Sequence, residues 1–224
     1  MKSLRILTAL ILTTTGANMT AQISIGNENQ TITQDTISIP VDTNYSGRGN
    51  KTNIYYNMGF PMGNTGDYIS KASFRGMGFE YQYLFNDNFA LGGVLQWSTF
   101  YDSDPRQTYE IEDGAINGIR YKYINTVPIY VTGTYYLASD DAKIRPYLGL
   151  GVGTYWLEKK TDLGLFTDIT NSWHFGLIPK AGVLIPVSYS TSIYLGLDYN
   201  IAFKNSELDT QNWIGLSVGF DFDY

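Results

Sequence analysis

The sequence contains no cysteine. Disulfides, thiol catalysis, thiolate metal sites and a lipid-modified N-terminal cysteine are thereby excluded. A single histidine, His174, leaves no basis for a site built on several imidazoles. Charged residues make up only 16%, with 15 Lys and Arg against 21 Asp and Glu, for a net charge of −6. No cluster of Lys or Arg interrupts that acidic balance, so the electrostatic footprint of a nucleic-acid binder is missing. Nor does any apolar stretch approach the roughly 20 residues that a membrane-spanning helix needs. A chain of this kind that entered a membrane would have to cross it as strands.

What the sequence has in quantity is tyrosine, with 19 residues, and glycine, with 23. Both are poor helix formers and suit tightly turned strands. Lys2 and Arg5 precede a short apolar run from Ile6 to Leu12, and small residues follow. Residues 1–21 therefore read as a secretory signal peptide cleaved after Ala21 or Ala17, the run being too short for an anchor. Its removal leaves 13 basic against 21 acidic residues, or −8. Residues 22–50 are polar and irregular and read as a flexible leader, with Ile37-Ser38-Ile39 as one short strand candidate.

From Lys51 the pattern alternates with period two and continues to the last residue. In the final strand Ile214, Leu216, Val218, Phe220, Phe222 and Tyr224 alternate with Trp213, Gly215, Ser217, Gly219, Asp221 and Asp223. Strict alternation over such lengths is a strand signal. It predicts eight strands near 52–60, 71–85, 89–101, 117–137, 144–158, 173–186, 191–203 and 212–224. Short turns at 86–88, 139–141 and 186–190 alternate with long polar loops at 61–70, 102–116, 159–172 and 204–211. The expected fold is all-β, an eight-stranded antiparallel up-and-down transmembrane β-barrel over 51–224 with both termini on the periplasmic side.

Which face points inward follows from the composition of the two faces. Glycines such as Gly78, Gly92, Gly149, Gly151 and Gly215 share the polar face with charged residues. On a solvent-facing surface they would only weaken the strands, whereas in a narrow barrel they make room for large neighbours. The polar face is thus expected inside, carrying a charge network of Glu80, Arg120, Lys122, Arg145, Lys180, Asp198 and Asp221, with opposite charges paired. The apolar face would meet lipid. Tyr81, Tyr83, Phe85, Phe89, Tyr135, Tyr199 and Tyr224 would form one aromatic girdle; Trp97, Tyr101, Tyr121, Tyr123, Trp156, Phe175 and Phe203 would form the other. Pro128 and Pro179 fall within strands and are expected at bulges. A soluble sandwich or lipocalin-like binder is the competing reading.

Three stretches carry a family resemblance: Arg145-Pro-Tyr-Leu-Gly-Leu-Gly-Val-Gly153, the Tyr-x-Gly-x-Asp-Tyr form at Tyr194–Tyr199, and the aromatic terminal strand ending in Tyr224. On these the chain resembles the small outer-membrane β-barrel superfamily of OmpA-, OmpX- and OmpW-like barrels. The resemblance covers 51–224 and implies residence in the outer membrane, contact with its lipid, and recognition of the last strand by the barrel-assembly machinery. A monomer is expected, with no peptidoglycan-binding domain after the last strand.

Signals for chemistry are sparse. Ser172-x-His174 runs opposite to the His-x-Ser order expected of a lipid A deacylase barrel, and no acid is placed beside it by spacing. Asp102, Asp104, Glu110, Glu112 and Asp113 do not follow a calcium-loop spacing and read as a solvated acidic loop. Gly149-x-Gly151-x-Gly153 is a strand pattern, not a nucleotide fingerprint. No metal or cofactor is expected. The leading expectation is a non-enzymatic barrel with a structural, adhesive or ligand-contacting role in its long loops. The alternatives are OmpW-like capture or transport of a small apolar molecule, and a lipid A-modifying enzyme centred on Ser172 and His174.

Overall fold

The structure, a computed structural model, describes residues 7–15, 18–26, 35–40, 49–111, 114–164 and 166–224. Two units are present, Met1–Ser46 and Gly47–Tyr224. In the first, β1 (Leu7–Thr15), β2 (Asn18–Gly26) and β3 (Asp35–Pro40) form a three-stranded antiparallel sheet. Strand thus runs through parts of 22–50, where an irregular leader is expected, and β3 covers the Ile37–Ile39 candidate.

The second unit is a closed ring of eight strands: β4 (Asn50–Met62), β5 (Gly76–Leu84), β6 (Phe89–Ile111), β7 (Gly114–Tyr136), β8 (Arg145–Leu163), β9 (Phe166–Ser188), β10 (Thr191–Ala202) and β11 (Gln211–Asp223). Each strand pairs antiparallel with its chain neighbour, and β11 closes on β4 with Gly219 opposite Tyr55. Asn50 and Tyr224 exchange backbone hydrogen bonds of 2.9 and 3.0 Å, so the first and last residues of the barrel are clasped at one rim. The up-and-down topology and periplasmic-type closure match the alternation of turn and loop lengths.

Two features differ from the sequence expectation. Segments 102–116 and 159–172 are continuations of β6–β7 and β8–β9, paired out to Ile111–Gly114 and Leu163–Phe166. Their Asp, Asn, Thr and Lys residues read as loop because both faces of a hairpin standing in water are polar, which erases the alternation. A strand needs about 9–11 residues to cross a bilayer. With 23 residues, β6 therefore projects well past the membrane. The expected loop 61–70 carries a short helix, α1 (Gly63–Tyr68).

Pro128 and Pro179 produce no bulge; the register shifts of the β6–β7 and β9–β10 ladders fall at Pro105 and beside Pro186. The β6–β7 ladder skips from Leu95–Ile129 to Ser98–Thr126 around Pro128, and β9–β10 skips from Lys180–Asp198 to Leu177–Ile201 around Pro179, in unchanged register. Proline has no N–H to donate, so each ladder is interrupted without being shifted.

Candidate functional site

Inward-facing side chains fill the ring in three layers. Toward the rim that bears α1, Ile69, Phe100, Tyr155, Ile178 and Trp213 form an apolar plug. Toward the clasped rim, Tyr55, Tyr136, Tyr147, Tyr194 and Leu184 form a second, largely aromatic one. Between them lies a polar layer. Glu80 is paired with Lys180 and accepts hydrogen bonds from Gln82 (2.8 Å), Thr132 (2.9 Å) and Asn53 (3.2 Å). Asp198 accepts from Asn200 and, at 3.5 Å, from Asn57, which also donates to Ser217. Close approach explains the glycines: a Cβ on Gly149 would lie 2.8 Å from the Lys180 side chain, and one on Gly215 would collide with the Asp198 carboxylate. A lumen filled in this way is closed to bulk water.

The predicted charge network is therefore divided among four places. Glu80, Lys180 and Asp198 meet in the middle layer. Asp221 pairs instead with Lys51 at 3.2 Å, a partner that sequence reasoning left out because Lys51 opens its strand next to the polar leader. Arg145 sits at the clasped rim, stacked over Tyr136 at 4.1 Å and paired with Asp140, and it donates to the carbonyls of Asp87 and Ala138. Arg120 and Lys122 are a correction. They lie on the projecting hairpin, where both reach Asp104 (Arg120 Nε at 2.7 Å, Lys122 Nζ at 2.9 Å). On β7 the alternation read from residue 117 onward runs without a break from the hairpin into the ring, so Arg120 and Lys122 carry no mark that the barrel has ended.

The acidic residues of this segment are not simply solvated. Asp102 is buried and bound by Lys71 at 2.8 Å, by the Ser70 N–H and hydroxyl, and by the Ser103 N–H. Burial pushes its carboxyl up, but these donors outweigh that and hold it at about 2. For Asp104, burial is likewise outweighed, by Lys122 and Arg120, leaving its carboxyl below the usual range. Glu112 and Asp113 lie outside the described residues, and among those described no group of acids or histidine could hold a metal ion.

Ser172 and His174 both face inward on β9 and are buried. The Ser172 hydroxyl lies 2.7 Å from His174 Nε2, and His174 Nδ1 lies 2.7 Å from the Phe203 carbonyl. A carbonyl only accepts, so Nδ1 carries the proton and Nε2 accepts from Ser172. The imidazole ties β9 to the residue following β10. Among the described residues, no carboxylate hydrogen-bonds to either side chain.

The outward face is apolar. Phe79, Leu95, Ile129, Val131, Leu148, Leu150, Val152, Leu197 and Phe220 are all exposed. Soluble monomers rarely expose a continuous apolar belt of this kind. It has edges that the register makes visible. Trp97, Val127, Trp156 and Trp173 share one row across β6–β9. One row further out, Thr99 donates to Asn125 (2.8 Å) and Asn125 to Glu158 (2.8 Å), a polar ladder that hydrocarbon would not admit. At the other edge Tyr81, Tyr83, Phe85, Phe89, Tyr135 and Tyr224 are exposed. Rings at both limits of an apolar belt on a closed barrel settle the class. This is an outer-membrane β-barrel.

Solved outer-membrane proteins resemble the chain at low identity. OprG from Pseudomonas aeruginosa is 13% identical, with 80% of this chain and 97% of that one covered at a TM-score of 0.49. Ail, the attachment invasion locus protein of Yersinia pestis, was solved with the heparin analogue sucrose octasulfate; it is 13% identical over 80% and 99%, at 0.46. E. coli outer membrane protein W is 15% identical over 80% and 100%, at 0.40. No protein-family model and no curated protein sequence matches the chain. The fold of this barrel rests on its own closed ladder, and likenesses so distant carry no function to it.

Proposed function

We propose that this outer-membrane barrel is a non-enzymatic surface protein whose work is recognition or adhesion by the sheet it projects from its outer rim. One observation carries the reading: the lumen is plugged in three layers while β6–β9 extend past the lipid belt as a four-stranded sheet. Recognition elements on rigid scaffolds are typically such projections. Near its tip Ile119, Phe166 and Ile169 are exposed, and a groove of about 460 Å3 is lined by Arg106, Ile116, Ile119, Tyr121, Leu163 and Phe166. The outer edges of β6 and β9 have no strand beside them there, which favours partners that add a strand. The test is adhesion of intact cells to hydrophobic beads, comparing wild type with the triple variant Ile119→Ser, Phe166→Ser, Ile169→Ser. At least a five-fold drop is expected with heat-modifiable gel mobility retained; undiminished adhesion overturns the reading.

A second reading, capture of a small apolar molecule, draws on the wall at Pro179. A cavity of about 460 Å3 opens there on the lipid side, lined by Leu148, Pro179, Ala181, Leu197, Tyr199 and Ile214. Saturable uptake of a fluorescent fatty acid that Pro179→Val abolishes would support it over the first. The Ser172–His174 pair supports the non-enzymatic view. It is enclosed, and its second nitrogen is spent on a backbone carbonyl instead of an orienting acid. Lipid A mass spectra that are unchanged by His174→Ala are expected.

Export and assembly complete the proposal. Cleavage after Ala21 would cut through β2, so the three-stranded sheet would belong to the precursor alone. The mature chain should be a monomer, with β11 presented to the assembly machinery.

A further inference from the structure

The outer face just beyond the tryptophan row holds a second site. Residues 69–75 descend from α1 to β5, and between them and β6 lies a crevice of about 310 Å3 lined by Lys71, Phe74, Arg75, Thr99 and Tyr101. Its depth is fixed by register. The Thr99 N–H donates to the Arg75 carbonyl, one row outside the Met77–Trp97 pair, which puts the crevice at the headgroup level of the outer leaflet.

Its chemistry is cationic and aromatic. Among the described residues, Arg75 is exposed and has no carboxylate within ion-pair distance; its guanidinium lies 6.0 Å from the Tyr101 ring. Lys71 reaches Asp102, but that carboxylate already accepts from the Ser70 and Ser103 N–H groups, and the lysine side chain is 59% exposed. Its ammonium can therefore serve a second anion. Tyr101 continues into Tyr123 (centroids 5.0 Å apart) and Tyr121 (6.3 Å), and Lys160 lies at the far end of this platform. Beside it Phe74 is exposed toward the lipid. In a chain with a net charge of −6, two cations lining one crevice run against the overall field.

We propose that the crevice binds a phosphorylated glycolipid of the outer leaflet. Arg75 and Lys71 hold its phosphate, Tyr101 stacks against its sugar, and Phe74 lies along its acyl chains. Guanidinium and ammonium groups are the standard phosphate partners, and flat rings pack on sugar faces.

The test uses the full-length barrel, refolded in a neutral detergent and titrated with bisphosphorylated lipid A under native mass spectrometry. Lys71→Gln/Arg75→Gln should weaken binding at least ten-fold with heat-modifiable mobility intact. Lys143→Gln/Lys204→Gln, which removes the same charge elsewhere, should not. Wild type should bind fully dephosphorylated lipid A and phosphatidylglycerol as poorly as the double variant binds lipid A. Equal binding by the two double variants overturns the proposal. So does uptake of dephosphorylated lipid A or of phosphatidylglycerol by wild type as strong as that of lipid A.

Discussion

The lumen and the projecting sheet are built from the same strands and use the same kinds of ion pair, yet the pairs do different work. Glu80 and Lys180 are 1% and 4% exposed, in a layer sealed by an apolar cluster on each side. Asp104 and Arg120 are 24% and 34% exposed on a hairpin standing in water. Inside the ring neither charge can be resolvated if its partner is lost, whereas on the hairpin water replaces the partner at once. The lumen therefore holds charge to fill and fix the barrel, and the sheet holds charge to shape a surface.

That contrast is broken most severely at the inner pair. Lys180→Met leaves Glu80 buried without its cation, and removing one member of a buried pair costs about 3–5 kcal/mol. Unfolding of the refolded barrel by urea in micelles should shift accordingly, and Glu80→Gln added to Lys180→Met should recover much of the loss. A loss below about 1 kcal/mol would mean that water reaches the middle layer and that the plug is not closed. Next comes packing. Gly215→Val drives side-chain atoms into the Asp198 carboxylate, and overpacking of this kind costs about 1–3 kcal/mol. The same assay applies, with Gly93→Val as the control, since a Cβ there meets nothing within 4 Å.

At the boundary between the two regions the effect is smaller and depends on pH. The Asp102 carboxyl sits at about 2, below its usual 3.8, so it stabilises the 69–75 connection above the unfolded value. The contribution is intact at neutral pH and is lost as pH falls from about 4 through about 2. Hydrogen exchange at the Ser70 amide should speed up in that window after correction for the intrinsic rate. In Asp102→Asn the extra acceleration should vanish; if it persists, another acid anchors the connection.

Most of the barrel was legible because lipid and lumen impose opposite demands on alternate residues. That contrast gave eight strands, the inward polar face and the roles of Gly149 and Gly215. It fails where both faces meet water: 102–111 reads as loop although it is strand, and Arg120 and Lys122 read as barrel interior although they stand on the hairpin. Partner choice was less legible than facing. Glu80 meets Lys180 from 100 residues away and Asp221 meets Lys51 from 170, and no local spacing encodes such pairs. His174 was visible only as a lone histidine two residues after Ser172. Its bond to the Phe203 carbonyl depends on how β9 and β10 align.

The smallest effect sharpens the comparison from the outer side. Asp104 accepts from both Arg120 and Lys122, a geometry as good on paper as that of Glu80. Exposed pairs nevertheless contribute only about 0–1 kcal/mol, because the ions lose little water and gain little by meeting. Asp104→Asn should therefore leave urea unfolding of the barrel unchanged within about 1 kcal/mol. Arg120 also lies 4.7 Å from the Tyr109 ring, so it keeps a partner when the carboxylate is gone. What should change is the salt response: hairpin exchange rates in wild type should rise between low and high ionic strength, and those of Asp104→Asn should not. A global loss of stability in this variant would mean that the projecting sheet folds as one unit with the ring. The division drawn between lumen and sheet would then be one of location only.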